Sequence, residues 1–239
     1  MKNHQEQRAL EGPHSRWEEL TFVFRVMMEF IRGFRTLHFV GPCVTVFGSA
    51  RIPEEHEYYI LTEKVGAQLV ELGFTVMTGG GGGLMEAANK GAKLAGGRSV
   101  ACNIVLPKEQ VQNQYLDSWI TLRYFFVRKV LLFKYSYAFI AMPGGVGTMD
   151  ELFEAITLIQ TKKIERFPVI LMGAEYWKNI GELFEQMIAE GTISTEDRDL
   201  LLITDSVEEA MEHLRVHALK KFMLKRSITL EPTTWLNEK

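Results

Sequence analysis

The chain has 239 residues, 46% of them hydrophobic, which suits one large α/β domain with a sizeable core. Its formal net charge is −3 at pH 7, so it lacks the basic excess that would indicate nucleic acid as a partner. No segment approaches the roughly 20 consecutive apolar residues of a membrane-spanning helix, and a membrane partner is likewise not expected.

Residues 1–14 are polar and predict a flexible leader without the apolar region of a secretion signal. The two cysteines, Cys43 and Cys102, lie in apolar runs and form no CxxC motif. This usage is typical of buried thiols in a reducing compartment. We therefore expect a cytoplasmic protein.

A long helix is predicted at residues 15–37. Ser15 followed by Glu18 has the spacing of a capping box, in which each side chain accepts a hydrogen bond from the other residue's backbone amide. The apolar residues of this segment cover more than one helical face. The helix should therefore pack against the rest of the domain, a partner subunit, or both.

From residue 43 onward, apolar strand-like runs alternate with helical patterns. Strands are predicted at 43–47, 74–78, 99–105, 138–142, 168–172 and 200–204, with a weaker candidate at 119–122. Helices are predicted at 54–72, 84–95, 125–135, 148–162, 175–190 and 206–220. This alternation predicts an α/β fold, with a doubly wound, mostly parallel, Rossmann-like sheet flanked by helices and an added N-terminal helix. Residues 15–239 are expected to form this single domain, with ligands bound beyond the carboxyl ends of the strands.

The glycine-rich segment at residues 141–151 is the strongest functional signal. An apolar run leads into it and a helical pattern follows it, so it is predicted to be a turn between a strand and a helix. Gly144, Gly145 and Gly147 lack a Cβ, which lets the backbone approach a ligand closely. Thr148 lies where a helix presents unpaired amides, and such a position favours a phosphate.

Two further turns are predicted at the same edge of the sheet, at residues 47–51 with Ser49 and at 78–86 with Glu86 at its end. The second contains five consecutive glycines, 79–83. Each glycine costs about 1 kcal/mol relative to alanine in regular structure, so the run indicates either a flexible turn or a phosphate-binding turn. Neither glycine segment matches GxGxxG or GxxxxGK[ST], which excludes the large dinucleotide-binding and P-loop classes.

Charged residues accompany the glycine-rich turn at residues 141–151. Asp150 and Glu151 stand directly beside it. Thr148 and Glu151 also have the spacing of a capping box, so Glu151 caps a helix, takes part in chemistry, or does both. The pair Arg128-Lys129 is flanked by apolar residues, so one of the two should face a buried anion or acid. Arg128 is the better candidate because a guanidinium suits a fixed bidentate contact.

His213 and His217 have the i, i+4 spacing of possible metal ligands, but no Glu follows His213, so the zinc-protease pattern is absent. We favour a pair of surface histidines and expect neither a metal nor a cofactor. The basic residues within 220–226 predict a solvated helix end or a subunit contact.

Together and in this order, the motifs resemble those of the Lonely Guy family, phosphoribohydrolases that activate cytokinins and whose bacterial members are often labelled lysine decarboxylases. The family pattern PGGxGTxxE, preceded by an Arg-Lys pair, is matched by residues 143–151 and 128–129. Residues 79–92 and 48–51 resemble the family as well. The N-terminal helix is similar to that of the longer bacterial members.

The resemblance implies hydrolysis of the N-glycosidic bond of a nucleoside 5′-monophosphate to free base and ribose 5-phosphate. The substrate is either a cytokinin riboside 5′-monophosphate or an AMP-like nucleotide. Arg128 and Glu151 are the implied catalytic pair. The implied phosphate- and substrate-binding residues are Ser49, Gly80, Gly81, Gly82, Glu86, Gly144, Gly145, Gly147, Thr148 and Asp150. A homodimer or higher homo-oligomer is also implied, because the family's site lies close to a dimer interface.

Cleavage of a glycosidic bond builds positive charge on the ribose, and a fixed carboxylate stabilises that charge. A helix N-terminus beside Glu151 favours the ionised carboxyl, so we expect it to be charged at neutral pH. The competing hypothesis is a non-enzymatic protein of the same fold that binds or carries a nucleotide or the molybdenum cofactor. Such a carrier would need the phosphate-binding turn without the pair of Arg128 and Glu151.

Overall fold

A computed structural model describes residues 5–106 and 111–219 of the chain. Seven strands form its central sheet in the order β4-β3-β2-β1-β5-β6-β7, and all neighbouring strands pair in parallel. The strands are β1 (Cys43–Phe47), β2 (Thr75–Thr78), β3 (Ser99–Ile104), β4 (Ser118–Leu122), β5 (Ser136–Ala141), β6 (Val169–Met172) and β7 (Leu201–Thr204). The predicted α/β fold with a parallel sheet is confirmed, including the weaker candidate that became β4.

Helices connect the strands. They are α1 (Gln5–Ala9), α2 (Arg16–Leu37), α3 (Glu57–Glu71), α4 (Leu84–Leu94), α5 (Phe125–Tyr135), α6 (Val146–Gln160), α7 (Ala174–Ala189) and α8 (Val207–His217). A short 3-10 helix, Thr195–Leu200, precedes β7 and was not predicted. The capping box of α2 is confirmed, because the Ser15 and Glu18 side chains each accept a hydrogen bond from the other residue's backbone amide.

Two helices add detail to the sequence patterns. Within the predicted flexible leader of residues 1–14, residues 5–9 form α1, and Arg8 in this helix pairs with Glu18 of α2. The helix predicted at 148–162 begins two residues earlier, at Val146, with Gly145 as its N-cap. The C-terminal end of the helix predicted at 206–220 and the basic residues of 220–226 lie outside the described residues.

The sheet separates two apolar cores, as its doubly wound connections require. In β1, Val44 and Val46 face the core beneath α3, α4 and α8. Cys43 and Phe47 face the opposite core, which α2, α5, α6 and α7 cover. Both faces are buried, which explains why the strands are continuous apolar runs rather than alternating ones.

Cys43 and Cys102 are free, buried thiols, as predicted. Burial raises the pKa of both thiols above the usual value, that of Cys102 to about 12, so both stay protonated. Across residues 5–106 and 111–219, none of the helices has both the length and the apolar character needed to cross a membrane.

β1 and β5 are neighbours in the sheet. From β1 the chain adds β2 to β4 toward one edge, and from β5 it adds β6 and β7 toward the other edge. Chains leaving two such strands diverge, and the crevice between them is where open α/β folds bind ligands. Here the two departing segments are tied together, because the Ser49 amide donates to the Pro143 carbonyl at 3.0 Å. The fold therefore places the turns after β1 and β5 side by side.

Candidate active site

A cavity of about 640 Å³ opens at this crevice. All three predicted glycine-containing turns contribute to its lining. The turn after β1 does so through Ser49, the turn after β2 through Gly79 and the turn after β5 through residues 145–148. Apolar side chains form another part of the wall, namely Phe47, Met85, Ile104, Leu106 and Phe125. The cavity thus joins a polar turn to an apolar surface.

The turn after β5 brings to the cavity backbone amides that have no hydrogen-bond partner among the described residues. The backbone amides of Thr148 and Met149 donate to the Gly145 carbonyl at 3.0 and 3.1 Å, and these are the first hydrogen bonds of the helix. The amides of Val146 and Gly147 precede them and therefore have no acceptor within the helix. A Cβ placed on Gly145 or Gly147 would meet no heavy atom within 4 Å. Open space beside unpaired helix-terminal amides is suited to a phosphate.

Gly144 has a different role in the same turn. A Cβ there would lie 2.7 Å from the Thr148 Cβ, so glycine leaves room for the threonine to fold back over the turn. The Tyr176 hydroxyl also donates to the Gly144 carbonyl at 2.6 Å. Gly144 therefore shapes the turn from behind and does not line the cavity.

Glu151 lies on the inner face of α6, lines the cavity and is only 4% exposed. Among residues 5–106 and 111–219, its Oε2 atom has no hydrogen-bond partner. Burial raises the pKa of Glu151 to about 7, although the charges of Arg128 and Lys129 lower it. A carboxyl with this pKa gains and loses its proton near neutral pH.

This result corrects two predictions about Glu151. The capping box proposed for Thr148 and Glu151 is wrong, because α6 is capped at Gly145 and Glu151 lies six residues farther on. The helix-terminal field falls off within the first turn, so it does not hold Glu151 in the ionised form. The expectation of a carboxyl fully charged at neutral pH is therefore wrong.

Arg128 lines the cavity from α5, whereas the acids expected to face one of the Arg-Lys pair contact Lys129. The Nε of Arg128 donates to the carbonyl of Cys102 at 3.1 Å. A Cβ on Gly79 would lie 2.6 Å from Nη2 of Arg128, so the guanidinium packs directly on the glycine backbone. Sequence reasoning missed Gly79, although the five-glycine run was the signal that pointed to this turn.

Lys129 faces away from Arg128 and binds two carboxylates of α6. Its Nζ lies 2.9 Å from Oδ1 of Asp150 and 2.7 Å from Oε2 of Glu154. Asp150 lines the cavity, but its carboxylate is engaged in this ion pair. Lys129 is therefore a link between α5 and α6 rather than a solvated charge.

The remaining glycines of the second turn lie beside the cavity rather than in its wall. The Asn113 side chain donates to the Gly81 carbonyl at 3.0 Å, and the backbone amide of Asn113 donates to the Gly80 carbonyl at 3.1 Å. A Cβ on Gly82 would lie 3.6 Å from Oε2 of Glu86. Gly80, Gly81, Gly82 and Glu86 are therefore close to the site but line no part of the main cavity.

A buried polar network supports that turn. Asn89 of α4 accepts from the Thr78 hydroxyl at 2.6 Å and from the Asn113 side chain at 3.0 Å, and it donates to Ser99 at 2.8 Å. The Thr78 hydroxyl in turn accepts from the Gly80 amide at 2.9 Å. Sequence reasoning missed Asn89 and Asn113. The available signal was an asparagine on an otherwise apolar helix face, since a buried amide needs partners.

His213 and His217 lie on α8, far along the chain from these turns, with ring centroids 4.5 Å apart. They border a second cavity near Arg166, at the start of β6 and β7. Burial and the neighbouring positive groups lower the pKa of His213. In the part of the chain that the structure describes, no cluster of three or more His, Cys, Asp or Glu side chains could hold a metal ion.

Comparisons with known proteins agree with this architecture. A family model described as "Possible lysine decarboxylase" matches residues 85–214. A probable cytokinin riboside 5′-monophosphate phosphoribohydrolase of Oryza sativa subsp. japonica is 34% identical over 180 residues, covering 73% of this chain and 77% of the relative. The cytokinin riboside 5′-monophosphate phosphoribohydrolase of Mycobacterium tuberculosis is 29% identical over 167 residues, covering 68% of this chain and 88% of the relative.

Solved structures share the fold. The molybdenum cofactor carrier protein of Chlamydomonas reinhardtii aligns with a TM-score of 0.54 at 24% identity, over 77% of this chain and 99% of that protein. The molybdenum cofactor binding protein of Rippkaea orientalis aligns with a TM-score of 0.55 at 23% identity, over 74% of this chain and 98% of that protein. At these identities the likeness concerns the fold alone.

Proposed function

The chain belongs to the Lonely Guy family, and from that premise we propose that it hydrolyses the N-glycosidic bond of a nucleoside 5′-monophosphate. In this reaction the C1′–N bond breaks and the oxygen of water bonds to C1′. The proton released by the water ends on the base. The products are the free base and ribose 5-phosphate.

One observation carries the proposal. The same cavity holds the free amides of the turn after β5, the buried carboxyl of Glu151 and the guanidinium of Arg128. Its volume of about 640 Å³ lies within the range of about 300–1,000 Å³ usual for small-molecule sites. The 5′-phosphate binds at Gly145, Gly147 and Thr148 in this proposal, which leaves the sugar beside Glu151.

Glu151 acts as a carboxylate in the proposed mechanism. It stabilises the positive charge that builds on the ribose and accepts the proton of the attacking water. Arg128 orients the ribose hydroxyls or the carboxylate of Glu151, because its Nε bond to Cys102 fixes the guanidinium. Since Glu151 must lose its proton first, kcat/KM should rise with pH through about 7 and then level off.

The apolar part of the cavity is the proposed site of the base. Ile104, Leu106 and Phe125 provide a surface for a planar purine in the cavity that Arg128 also lines. Relatives named for cytokinin riboside 5′-monophosphate favour an N6-substituted adenine, and AMP remains the simpler alternative. Lysine decarboxylation is disfavoured, because among the described residues no lysine lines the cavity to hold pyridoxal phosphate.

The test is incubation with AMP and with N6-isopentenyl-AMP, followed by chromatography of the released base and assay of ribose 5-phosphate. Wild type should release base, and Glu151→Gln should lose at least about a hundredfold in kcat. Glu154→Gln is the matched control, since Glu154 is the neighbouring acid that pairs with Lys129 and does not line the cavity. Absence of base release together with a co-purified pterin absorbance would favour the carrier hypothesis.

A homo-oligomer is part of the proposal. Helix α2 exposes large apolar side chains, including Trp17 at 77%, and α5 adds Phe125 and Phe126. Contiguous apolar patches of this kind mark interaction surfaces on soluble proteins. Sedimentation analysis should find a dimer or higher oligomer, and Phe24→Glu should shift it toward monomer. We also propose a cytoplasmic location, because buried free thiols suit a reducing compartment.

A further inference from the structure

Helix α5 has no cap of its own. Its N-cap residue, Tyr124, makes no side-chain hydrogen bond to the first turn. Two acids from the N-terminal helices accept the amides at this helix start instead. Glu29 of α2 accepts from the Arg123 amide at 3.0 and 3.2 Å, and Glu6 of α1 accepts from the Phe125 amide at 2.9 Å. The start of α5 is thus capped from another part of the chain.

Glu29 is placed to make this contact strong. It is only 4% exposed, although it is an acid on a helix whose other face is open to solvent. The Arg123 Nε also lies 3.9 Å from Oε1 of Glu29. A carboxylate that accepts backbone amides at a helix N-terminus interacts favourably with the helix dipole, and burial reduces the screening of that interaction.

Helix α2 packs along α5 as well as capping it. The Phe22 ring meets the Tyr124 ring edge-on, with centroids 5.4 Å apart. At the other end, a Cβ on Gly33 would overlap the Leu131 side chain, lying 3.0 Å from its Cδ2. The helices therefore approach closely enough that α2 determines where α5 lies.

The position of α5 matters because it carries Arg128. The Arg128 amide donates to the Tyr124 carbonyl at 3.2 Å, so Arg128 belongs to the turn that Glu29 helps to hold. The guanidinium has little freedom at its far end, since it packs on Gly79, which directly follows β2, and its Nε bonds to the carbonyl of Cys102 within β3. A shift of the helix start would therefore move Arg128 away from these contacts.

We propose that Glu29, with help from Glu6, is a positioning residue that holds Arg128 in place through the first turn of α5. The inference rests on the proposed function, in which Arg128 takes part in catalysis. It assigns the N-terminal helix a role inside its own subunit, in addition to any contact with a partner. Glu29 touches no part of the cavity and acts only through α5.

The first experiment is a double-mutant cycle. Glu29→Gln keeps an oxygen acceptor but removes the charge, and it should lower kcat about fivefold with little change in KM, because the phosphate-binding turn is unaffected. In an Arg128→Lys background the same change should cost less than about twofold, since the guanidinium it positions is already gone. Glu212→Gln on α8 is the control, because Glu212 pairs with Arg215 of its own helix, on the other side of the sheet from α5.

The second experiment does not depend on activity. In ¹⁵N-labelled ligand-free protein, Glu29→Gln should shift the Arg128 Nε–H resonance and speed hydrogen exchange at the Arg123 amide, whereas Glu212→Gln should change neither. An unchanged Arg128 resonance in a folded Glu29→Gln variant would overturn the inference. It would also be overturned if the double variant lost kcat by the product of the losses in Glu29→Gln and Arg128→Lys alone. If wild type releases no base from any nucleotide, the proposed function fails while the resonance shift still decides the role of Glu29.

Discussion

Two glycine-rich turns border the candidate site, and they use glycine for different reasons. In the turn after β5, a Cβ on Gly145 or Gly147 would enter open space. In the turn after β2, a Cβ on Gly79 would meet Arg128, and one on Gly83 would meet the backbone of the turn after β1. The turn after β5 leaves room for a ligand, whereas the turn after β2 leaves room for the protein's own groups. Glycine content alone therefore does not identify the surface that binds a phosphate.

The largest effect is expected for Gly83→Ala. Its new Cβ would lie 2.7 Å from the Ala50 carbonyl carbon, and Gly83 has a φ of +61°, which disfavours any side chain. Because the obstacle is backbone, it cannot move aside. We expect a loss of about 3 kcal/mol or more in the free energy of unfolding, measured by urea denaturation.

A matched control separates the clash from the backbone strain. Gly73 also has a positive φ, of +87°, but a Cβ there would meet nothing within 4 Å. Gly73→Ala should therefore cost only about 1 kcal/mol. Equal losses for the two variants would contradict the close packing between the second turn and the turn after β1.

Glu151→Gln is expected to stabilise the protein at alkaline pH. The pKa of Glu151 is about 7 in the folded protein against 4.5 as the ordinary value, so the folded state binds more protons than the unfolded state between these values. Stability of the wild type therefore falls as pH rises from about 4.5 to 7 and stays level above that. The variant avoids this loss, which amounts to at most about 3 kcal/mol.

Denaturation at pH 8 and at pH 4.5 measures this difference. The gain of Glu151→Gln should be largest at pH 8 and nearly absent at pH 4.5, where the folded wild-type carboxyl is protonated and only half of the unfolded carboxyl is ionised. Glu154→Gln should give no gain at pH 8, because it removes a partner of Lys129. A wild type that is as stable at pH 8 as at pH 5 would contradict the raised pKa.

Gly79→Ala should affect activity more than stability. The obstacles to its Cβ are Nη2 of Arg128 at 2.6 Å and Sδ of Met85 at 2.8 Å, both at the ends of flexible side chains. These atoms can move aside, so the unfolding free energy should change by less than about 1 kcal/mol. Displacement of the guanidinium should lower kcat about tenfold in the base-release assay. A variant with full kcat would show that Arg128 does not need its place on Gly79.

The fold was predictable from local patterns, and so was the general place of the site. Apolar runs marked the strands, and the turns at the carboxyl edge followed from the alternation of elements. A charged pair among apolar residues implied that one of Arg128 and Lys129 would meet an acid, but Lys129 rather than Arg128 forms these ion pairs. The capping box of Ser15 and Glu18 was predictable because it depends on four consecutive residues.

Other features depend on contacts between distant residues. The pattern of Thr148 and Glu151 equally suits a capping box, but in the folded chain the helix begins earlier, at Val146 with Gly145 as its N-cap. The pKa of Glu151 then follows from burial rather than from the helix terminus. Likewise, only the folded arrangement brings Arg128 onto Gly79 and Asn113 beneath Gly81. Sequence patterns predict neither of these two contacts.

Gly147→Ala gives the smallest effect and the most direct test of the contrast between the two turns. The new methyl group meets no heavy atom within 4 Å, and Gly147 lies in the first turn of α6. Alanine favours a helix over glycine, so the unfolding free energy should rise by about 0.5 kcal/mol. The same methyl group occupies the space assigned to the phosphate, so KM for AMP should rise about tenfold with kcat less affected. A variant that is more stable but binds its substrate less well would separate the two uses of glycine within one substitution. An unchanged KM would instead place the phosphate elsewhere in the cavity.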